Sequence, residues 1–499
     1  MKKYLLLLAL PFFLLGCNDD EDSKNIIILD GISYNLTEEA YTNLSEYLDY
    51  LLAYYANEND KETIVYDIKA LIADGFDKKL KDENDIITKN DVEVVIKEIQ
   101  ASKESGDFIV PGLGEAKYMP ITIMAYLVAN NNLDDDLLAN IGAMYDGLAQ
   151  MTKPAVVLIY WDGQTSIGSN NSKHLILKYE TDGKGNINGN PALSLDFTLD
   201  AVLDEGVIIK EYPTQFSTSI DVMSKVINDM ISIAPTSKYG LIFGSHASSW
   251  LNSIYTRAFG QDGSGTDNTM LIPDMVEALK SVGKTFDFIL FDACYMGTIE
   301  VAYTFREVAN YQISSVMEVP AYGFPYENFM GNLYKGTVDN YQQVCQAYVD
   351  YYKTLYSEGD VAWGTVALIN SKEVGNLTDA LKQVIVDNKE TLANYNAKHL
   401  QEYGRNSGPY IASDLGHFVK DLNDGTLPAT FNDQLAKTIL YKGCVEDAYP
   451  SSYRVDATHY SGLGIYIPVS VRPEWNDYFK TIDWFTASGW NEVTFSWDF

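Results

Sequence analysis

Residues 239–250 read YGLIFGSHASSW, and residues 286–297 read FDFILFDACYMG. In both, a short apolar and aromatic run ends in a side chain able to do chemistry, His246 in the first and Cys294 in the second. Unbroken apolar runs of this length suit strands buried on both faces of a sheet. Three more lie upstream, ITIMAYLVA (121–129), AVVLIYW (155–161) and HLILKY (174–179), with helical apolar spacing over 133–151, 217–233 and 270–282. Strand alternating with helix predicts an α/β fold, a mostly parallel sheet flanked by helices. Ligands of such sheets bind beyond the carboxyl ends of the strands. His246 and Cys294 both fall at that edge.

The rest of the chain sets the context for these two residues. At 499 residues it exceeds one compact core and predicts more than one domain. A formal net charge of −33 argues against nucleic acid and anionic lipid as partners and favours cationic ligands. The start, MKKYLLLLALPFFLLGC, has two lysines followed by an apolar stretch too short to span a bilayer, so residues 1–16 read as an export signal. Its LLGC ending resembles a bacterial lipobox, which implies cleavage before Cys17 and acylation of its sulfur. Two or three acyl chains anchor a protein stably. Residues 17–26, with NDDEDS at 18–23, read as a solvated acidic tether and resemble sorting signals of surface-displayed lipoproteins. The expected location is the bacterial outer membrane or cell surface, lipid-anchored and extracytoplasmic.

Residues 27–110 read as a small α+β accessory module. A strand and turn in IIILDGISYNL precede helical patterns over 37–57 and 61–80, and a third pattern follows Thr88. SGDFIVPGLGEAK (105–117) then reads as a linker.

With Cys17 assigned to lipid, Cys294, Cys345 and Cys444 remain, an odd number in an oxidising compartment. At least one thiol is therefore expected to be free. Cys345 has the spacing of a helix core, and no Cys/His cluster has metal-ligand spacing. Of the five histidines, His246 alone follows a buried-looking strand; His174, His399, His417 and His459 read as structural or surface residues. A thiolate nucleophile needs a nearby imidazole to take its proton and to protonate the departing amine. A helix over YMGTIEVAYTFREV (295–308) would aim its first N–H groups at Cys294 and favour the thiolate. Backbone N–H groups at Ala247 and Cys294 could hold an oxyanion.

SHASSW (245–250), followed 48 residues after its histidine by the cysteine of DACYMGTIEVAY, resembles the clostripain family of cysteine peptidases, related to caspases and gingipains. ITIMAYLVANNNLDDD (121–136), TRAFGQDGSGTDNTMLIPDMVEAL (256–279) and YSGLGIYIPVS (460–470) extend the likeness over about residues 118–499. It implies a caspase-like catalytic region over 118–330, with 331–499 as the C-terminal α/β part of the same domain. It implies Cys294 as nucleophile, His246 as general acid/base, and Asp292 in an S1 pocket selecting Arg or Lys, with Glu318 a second pocket candidate. Because family members can cut themselves between His and Cys, the resemblance makes Arg257 in the polar, Gly-rich 257–269 segment a candidate self-cleavage site, the other reading being an ordinary uncut loop, and implies a monomer or a self-cleaved two-chain form. No cofactor is required, although clostripain's association with calcium makes NNNLDDD (130–136) a possible oxygen cluster; the other reading is a helix with an acidic first turn. One departure stands out: the family's usual glycine after the histidine is Ala247 here, which predicts a less permissive backbone at the oxyanion hole. The rival reading is therefore an inactive clostripain-like lipoprotein that binds cationic peptides or partner proteins. A serine hydrolase using Ser245 or Ser248 fits poorly, since neither lies in a Gly-x-Ser-x-Gly elbow.

Overall fold

The computed structural model describes residues 25–54, 61–80, 82, 85–101, 121–164, 172–193, 198–251, 258–263, 268–404 and 411–497. The signal stretch, Cys17, most of the acidic tether and Arg257 lie outside the described residues. The chain forms two compact units that meet in sequence at Glu115 and Ala116.

In the first unit, β1 (Asn25–Leu29) and β2 (Ile32–Leu36) form an antiparallel hairpin. Its two-residue turn, Asp30–Gly31, has positive φ at both positions, which matches the twist of the flanking strands. Helices α1 (Glu38–Tyr54), α2 (Lys61–Lys79) and α3 (Lys89–Ala101) follow and close a core of their own, with Leu44, Leu51, Ile68, Ile72, Val92 and Val95 buried.

The second unit is built on an eleven-stranded sheet. Its centre is parallel. β3 (Ile121–Val128) lies between β4 (Ala155–Gln164) and β9 (Lys238–Gly244), and β9 is followed by β10 (Phe286–Asp292) and β11 (Ala309–Ser314). The run at 174–179 belongs to β5 (Ser172–Thr181), which pairs antiparallel with β4 and so lies outside the parallel centre. Only residues 165–171 join the two strands, too few for the crossover that a parallel pair needs. β6 (Asn186–Ile187), β7 (Asn190–Pro191) and β8 (Val207–Tyr212) complete this edge, also antiparallel. The opposite edge adds β12 (Thr365–Asn370), antiparallel to β11, so the sheet runs on past residue 330.

Both faces of the parallel centre are covered, which explains its unbroken apolar runs. Along β3, Ile121, Ile123, Ala125 and Leu127 enter one core with α4 (Asp134–Ala149), and Met124, Tyr126 and Val128 enter the other. This is the two-residue period of a strand, with both faces apolar. After α5 (Leu199–Glu205), helices α6 (Ile220–Ile233), α7 (Ile272–Val282) and α8 (Ile299–Phe305) cover the second face. Helices α9 (Tyr326–Lys335) and α10 (Val338–Glu358) join α4 on the first. Cys345 is buried in α10, as its helical spacing predicts. Beyond α11 (Ser371–Asp387), β13 (Glu402–Tyr403), β14 (Ala412–Asp414) and β16 (Gly464–Ile465) form a small antiparallel sheet, and β15 (Ile439–Cys444) pairs with β12.

Candidate active site

Register brings the two reactive residues together. On the paired parallel strands β9 and β10, Gly244 lies opposite Asp292. His246 and Cys294 each follow two residues later, so they leave the sheet at the same level from strands about 4.8 Å apart. β3 ends beside them, with its Leu127 opposite Gly244. Ser249, three residues beyond the histidine, has its hydroxyl 2.7 Å from that of Thr298, which cross-ties the two strand-end loops. Ser245 donates its hydroxyl to the Val128 carbonyl at 2.7 Å, a strap between strands rather than a nucleophile.

The expected helix at Cys294 is not where the sequence pattern placed it. Residues 293–298 form a turn, and α8 begins only at Ile299, with Thr298 as its N-cap. The N-terminus of α8 therefore lies five residues beyond the thiol. The reason lies in backbone pairing outside the helix: Tyr295 N–H donates to Met317 O at 3.0 Å and Gly297 N–H to Ser315 O at 2.7 Å, so the segment past β11 holds this turn open. Tyr295 has φ of 62°, a conformation that costs a bulky residue about 1–3 kcal/mol and that clusters at functional sites. Cys294 itself is half-buried, with Sγ 3.9 Å from the Val319 carbonyl.

These residues share one cleft of about 490 Å³, lined by His246, Ala247, Ser248, Asp292, Cys294, Tyr295 and Glu318, among others. Asp292 is 7% exposed. Its Oδ2 accepts from Asn140 Nδ2 at 3.3 Å, Phe324 N at 3.2 Å and Tyr326 Oη at 2.9 Å, so Oδ1 stays available to a ligand. Burial pushes its pKa up to about 6, against the hydrogen bonds from Phe324 and Tyr326, which favour the charged form. Gly323 makes this cradle possible: it has φ of 68°, and a Cβ there would meet Asn140 Nδ2 at 2.6 Å and Asp292 Oδ2 at 2.7 Å. Glu318 also lines the cleft, but its carboxylate is engaged. Tyr295 Oη donates to Oε1 at 3.1 Å and Tyr453 Oη donates to Oε2. Trp363, stacked on Tyr453 at 4.1 Å, donates Nε1–H to the Glu318 carbonyl at 3.0 Å and forms part of the wall.

Several of these contributors had no signal that would single them out. Asn140, Tyr326 and Trp363 are scattered through apolar or helical stretches. Asn132 lay within the quoted NNNLDDD, and the structure places its Oδ1 2.9 Å from His246 Nε2. The amide nitrogens of Asn130 and Asn131 in that stretch are spent inside the protein. Asn131 Nδ2 donates to Val128 O and Gln261 O, both at 2.9 Å, while Asn130 Nδ2 donates to Asp262 Oδ1 at 3.0 Å. Asp134, Asp135 and Asp136 form the first turn of α4, the helix-opening alternative. Among the described residues no group of three or more His, Cys, Asp or Glu side chains is arranged to hold a metal. The other histidines stay out of the cleft: His174 is buried on β5, the rings of His417 and His459 stack at 3.8 Å, and His399 pairs with Asp421 at 2.8 Å.

The sequence profile of the clostripain family (peptidase C11) matches residues 125–497. The chain belongs to the clostripain family of cysteine peptidases. Clostripain from Hathewaya histolytica is 24% identical over 241 residues, 44% of this chain and 43% of that protein. The chain thus aligns with less than half the length of that relative. Among solved clostripain-family structures, an inactive zymogen C11 protease from Parabacteroides distasonis is similar at a TM-score of 0.60 and 26% identity, covering 74% of this chain and 98% of that one. A secreted C11 cysteine protease from Bacteroides thetaiotaomicron, in complex with an irreversible peptide inhibitor, shares the fold at a TM-score of 0.57 and 23% identity, covering 75% and 99%. The clostripain-family departure at Ala247 costs less freedom than the sequence alone suggests. Ala247 is not among the residues with positive φ, and its methyl joins the core around Phe243 and Phe259. Its bridge to Phe259 is made by Gly260 N–H to His246 O at 2.9 Å and Ser248 N–H to Ala258 O at 3.0 Å. The Ala247 N–H therefore stands outside that ladder, at the wall of the cleft.

Proposed function

We propose that this clostripain-family chain is a lipid-anchored, extracytoplasmic cysteine endopeptidase that cuts after Arg or Lys. The observation that carries the reading is the convergence of Cys294, His246 and the buried carboxyl of Asp292 on one cleft whose described lining has no Lys or Arg. A desolvated guanidinium or ammonium needs a paired charge, and Asp292 Oδ1 supplies it at the cleft floor. Glu318, tethered by two tyrosine hydroxyls, adds negative field from the wall.

The Cys294 thiol gives its proton to His246 and attacks the carbonyl carbon, forming a C–S bond as the carbonyl oxygen becomes an oxyanion. The N–H groups of Ala247 and Cys294 receive that oxyanion. His246 then protonates the amine as the C–N bond breaks, leaving a thioester. Water, deprotonated by His246, releases the acid and restores the thiol. The chemistry calls on no cofactor. Self-cleavage after Arg257 would leave two associated chains, and acylated Cys17 would hold the protein at the outer membrane or cell surface.

The test is protein lacking residues 1–17, incubated with fluorogenic peptides ending in Arg, Lys or neutral residues and labelled with an Arg-directed acyloxymethyl ketone. Expected are turnover after Arg or Lys and a covalent adduct on Cys294, both lost in Cys294→Ala. No turnover across a broad peptide library, with and without reductant and calcium, would overturn the active-enzyme reading. It would leave a cationic-peptide-binding protein.

A further inference from the structure

We infer that Asn132 is the positioning residue of the catalytic histidine, which extends the reacting unit from a pair to Asn132–His246–Cys294. The inference rests on the reading of His246 and Cys294 as the reacting pair. Its starting point is the 2.9 Å contact between Asn132 Oδ1 and His246 Nε2.

The chain places Asn132 by locking its neighbours. Asn132 is itself exposed, whereas Asn131 beside it is 8% exposed and spends its whole amide on the turn. Asn131 Oδ1 accepts from Leu133 N at 2.9 Å, its Nδ2 donates to Val128 O and Gln261 O, and its own N–H donates to Ala129 O at 2.7 Å. On the other side, Asn130 O accepts from Gly263 N at 2.8 Å and Asn130 Nδ2 donates to buried Asp262. The same 258–263 segment holds the histidine, because Gly260 N–H donates to His246 O at 2.9 Å. One short strip of backbone thus fixes both partners. An exposed hydrogen bond between two freely moving side chains would be worth little. Here the entropy of aligning them is largely removed by the frame.

The chemistry follows from the tautomer. Neutral imidazole carries one ring proton, and the hydrogen bond at one nitrogen decides which. An amide oxygen at Nε2 keeps the proton there, so the lone pair sits on Nδ1, the nitrogen able to take the thiol proton. Once His246 is cationic, the same oxygen accepts from Nε2–H and stabilises the imidazolium as a dipole. A neutral acceptor suits this cleft. Asp292 and Cys294 at the end of β10, Asp136 on α4 and Glu318 beyond β11 line the same cleft as the histidine. A further carboxylate would favour the imidazolium and raise the pH at which the histidine is free to accept the thiol proton.

The test uses the secreted-length chain with a fluorogenic Arg peptide and, separately, the rate of iodoacetamide alkylation at Cys294 as a function of pH. Asn132→Ala is expected to lower kcat at least about tenfold with KM and melting temperature unchanged. Asn132→Asp keeps the acceptor and is expected to retain most of kcat. It should move the histidine limb of both pH profiles upward by about one unit. An Asn132→Ala enzyme with unaltered kcat and pH profiles would overturn the proposal. So would a loss confined to KM or accompanied by a lowered melting temperature, the signature of a structural role. Full activity in His246→Ala would instead show that the reacting pair was misread, and Asn132 would fall with it; the alkylation profile separates these outcomes without relying on turnover.

Discussion

In the proposed function, one buried carboxyl, Asp292, couples specificity to pH. Burial holds its pKa at about 6, so below that pH it is largely neutral and cannot pair with a P1 cation. KM for an Arg substrate is therefore expected to rise about tenfold for each unit of pH below 6, with kcat much less affected. Asp292→Asn should have a high KM that no longer changes over this range; steady-state kinetics from pH 4.5 to 8 check both. The stability effect has its own sign. The folded pKa lies above the ordinary 3.8, so the folded state binds more protons between about pH 4 and 6. The stabilisation due to Asp292 is full below that window and is lost as pH rises through it, until a bound cation compensates the charge.

At the scale of the element, α8 is a short helix with a buried acid in its first turn. Glu300 is fully buried, and its Oε1 accepts from Tyr466 N at 2.8 Å. Burial pushes its pKa up to about 8, so the side chain is protonated at neutral pH. The carboxyl thereby ties α8 to Tyr466, just after β16, and within β16 Gly464 N–H donates to Gly297 O at 3.0 Å in the turn that carries Cys294. The folded state again binds the extra proton, and the associated stability is lost as pH rises from about 4.5 to 8. Glu300→Gln should keep the Tyr466 contact and flatten the fall in melting temperature between pH 5 and 9. Calorimetric melts showing the same pH slope as the parent would refute this. TIEVAYTF has helical spacing, and spacing alone does not reveal that the residues before it pair with 315–317.

At the scale of the whole molecule, the chain carries a formal charge of −33, and the ligand proposed for the cleft is cationic. Long-range attraction should speed encounter with basic peptides and fade with screening. Raising ionic strength from 0.02 to 0.5 M (about one Debye length of 20 Å to one of 4 Å) is expected to lower kcat/KM several-fold for an Arg-rich peptide, mostly through association. A peptide whose single cation is the P1 Arg should respond less, and equal salt dependence for the two would count against steering by the surface. The sequence by itself determined the α/β layering, the strands that lead into His246 and Cys294, and the helices of the N-terminal unit, because these rest on local periodicity and burial. It also marked Asp292, two residues ahead of the cysteine on the same strand. Only the tertiary structure decided that β5 turns back antiparallel, that Cys294 sits in an open turn, and that Asn132 meets His246. Nor could the sequence decide that Glu318 is tied up by Tyr295 and Tyr453. Each depends on contacts between residues far apart in the chain, such as the 114 positions separating Asn132 from His246, and local pattern carries no record of which distant group fills a hydrogen bond.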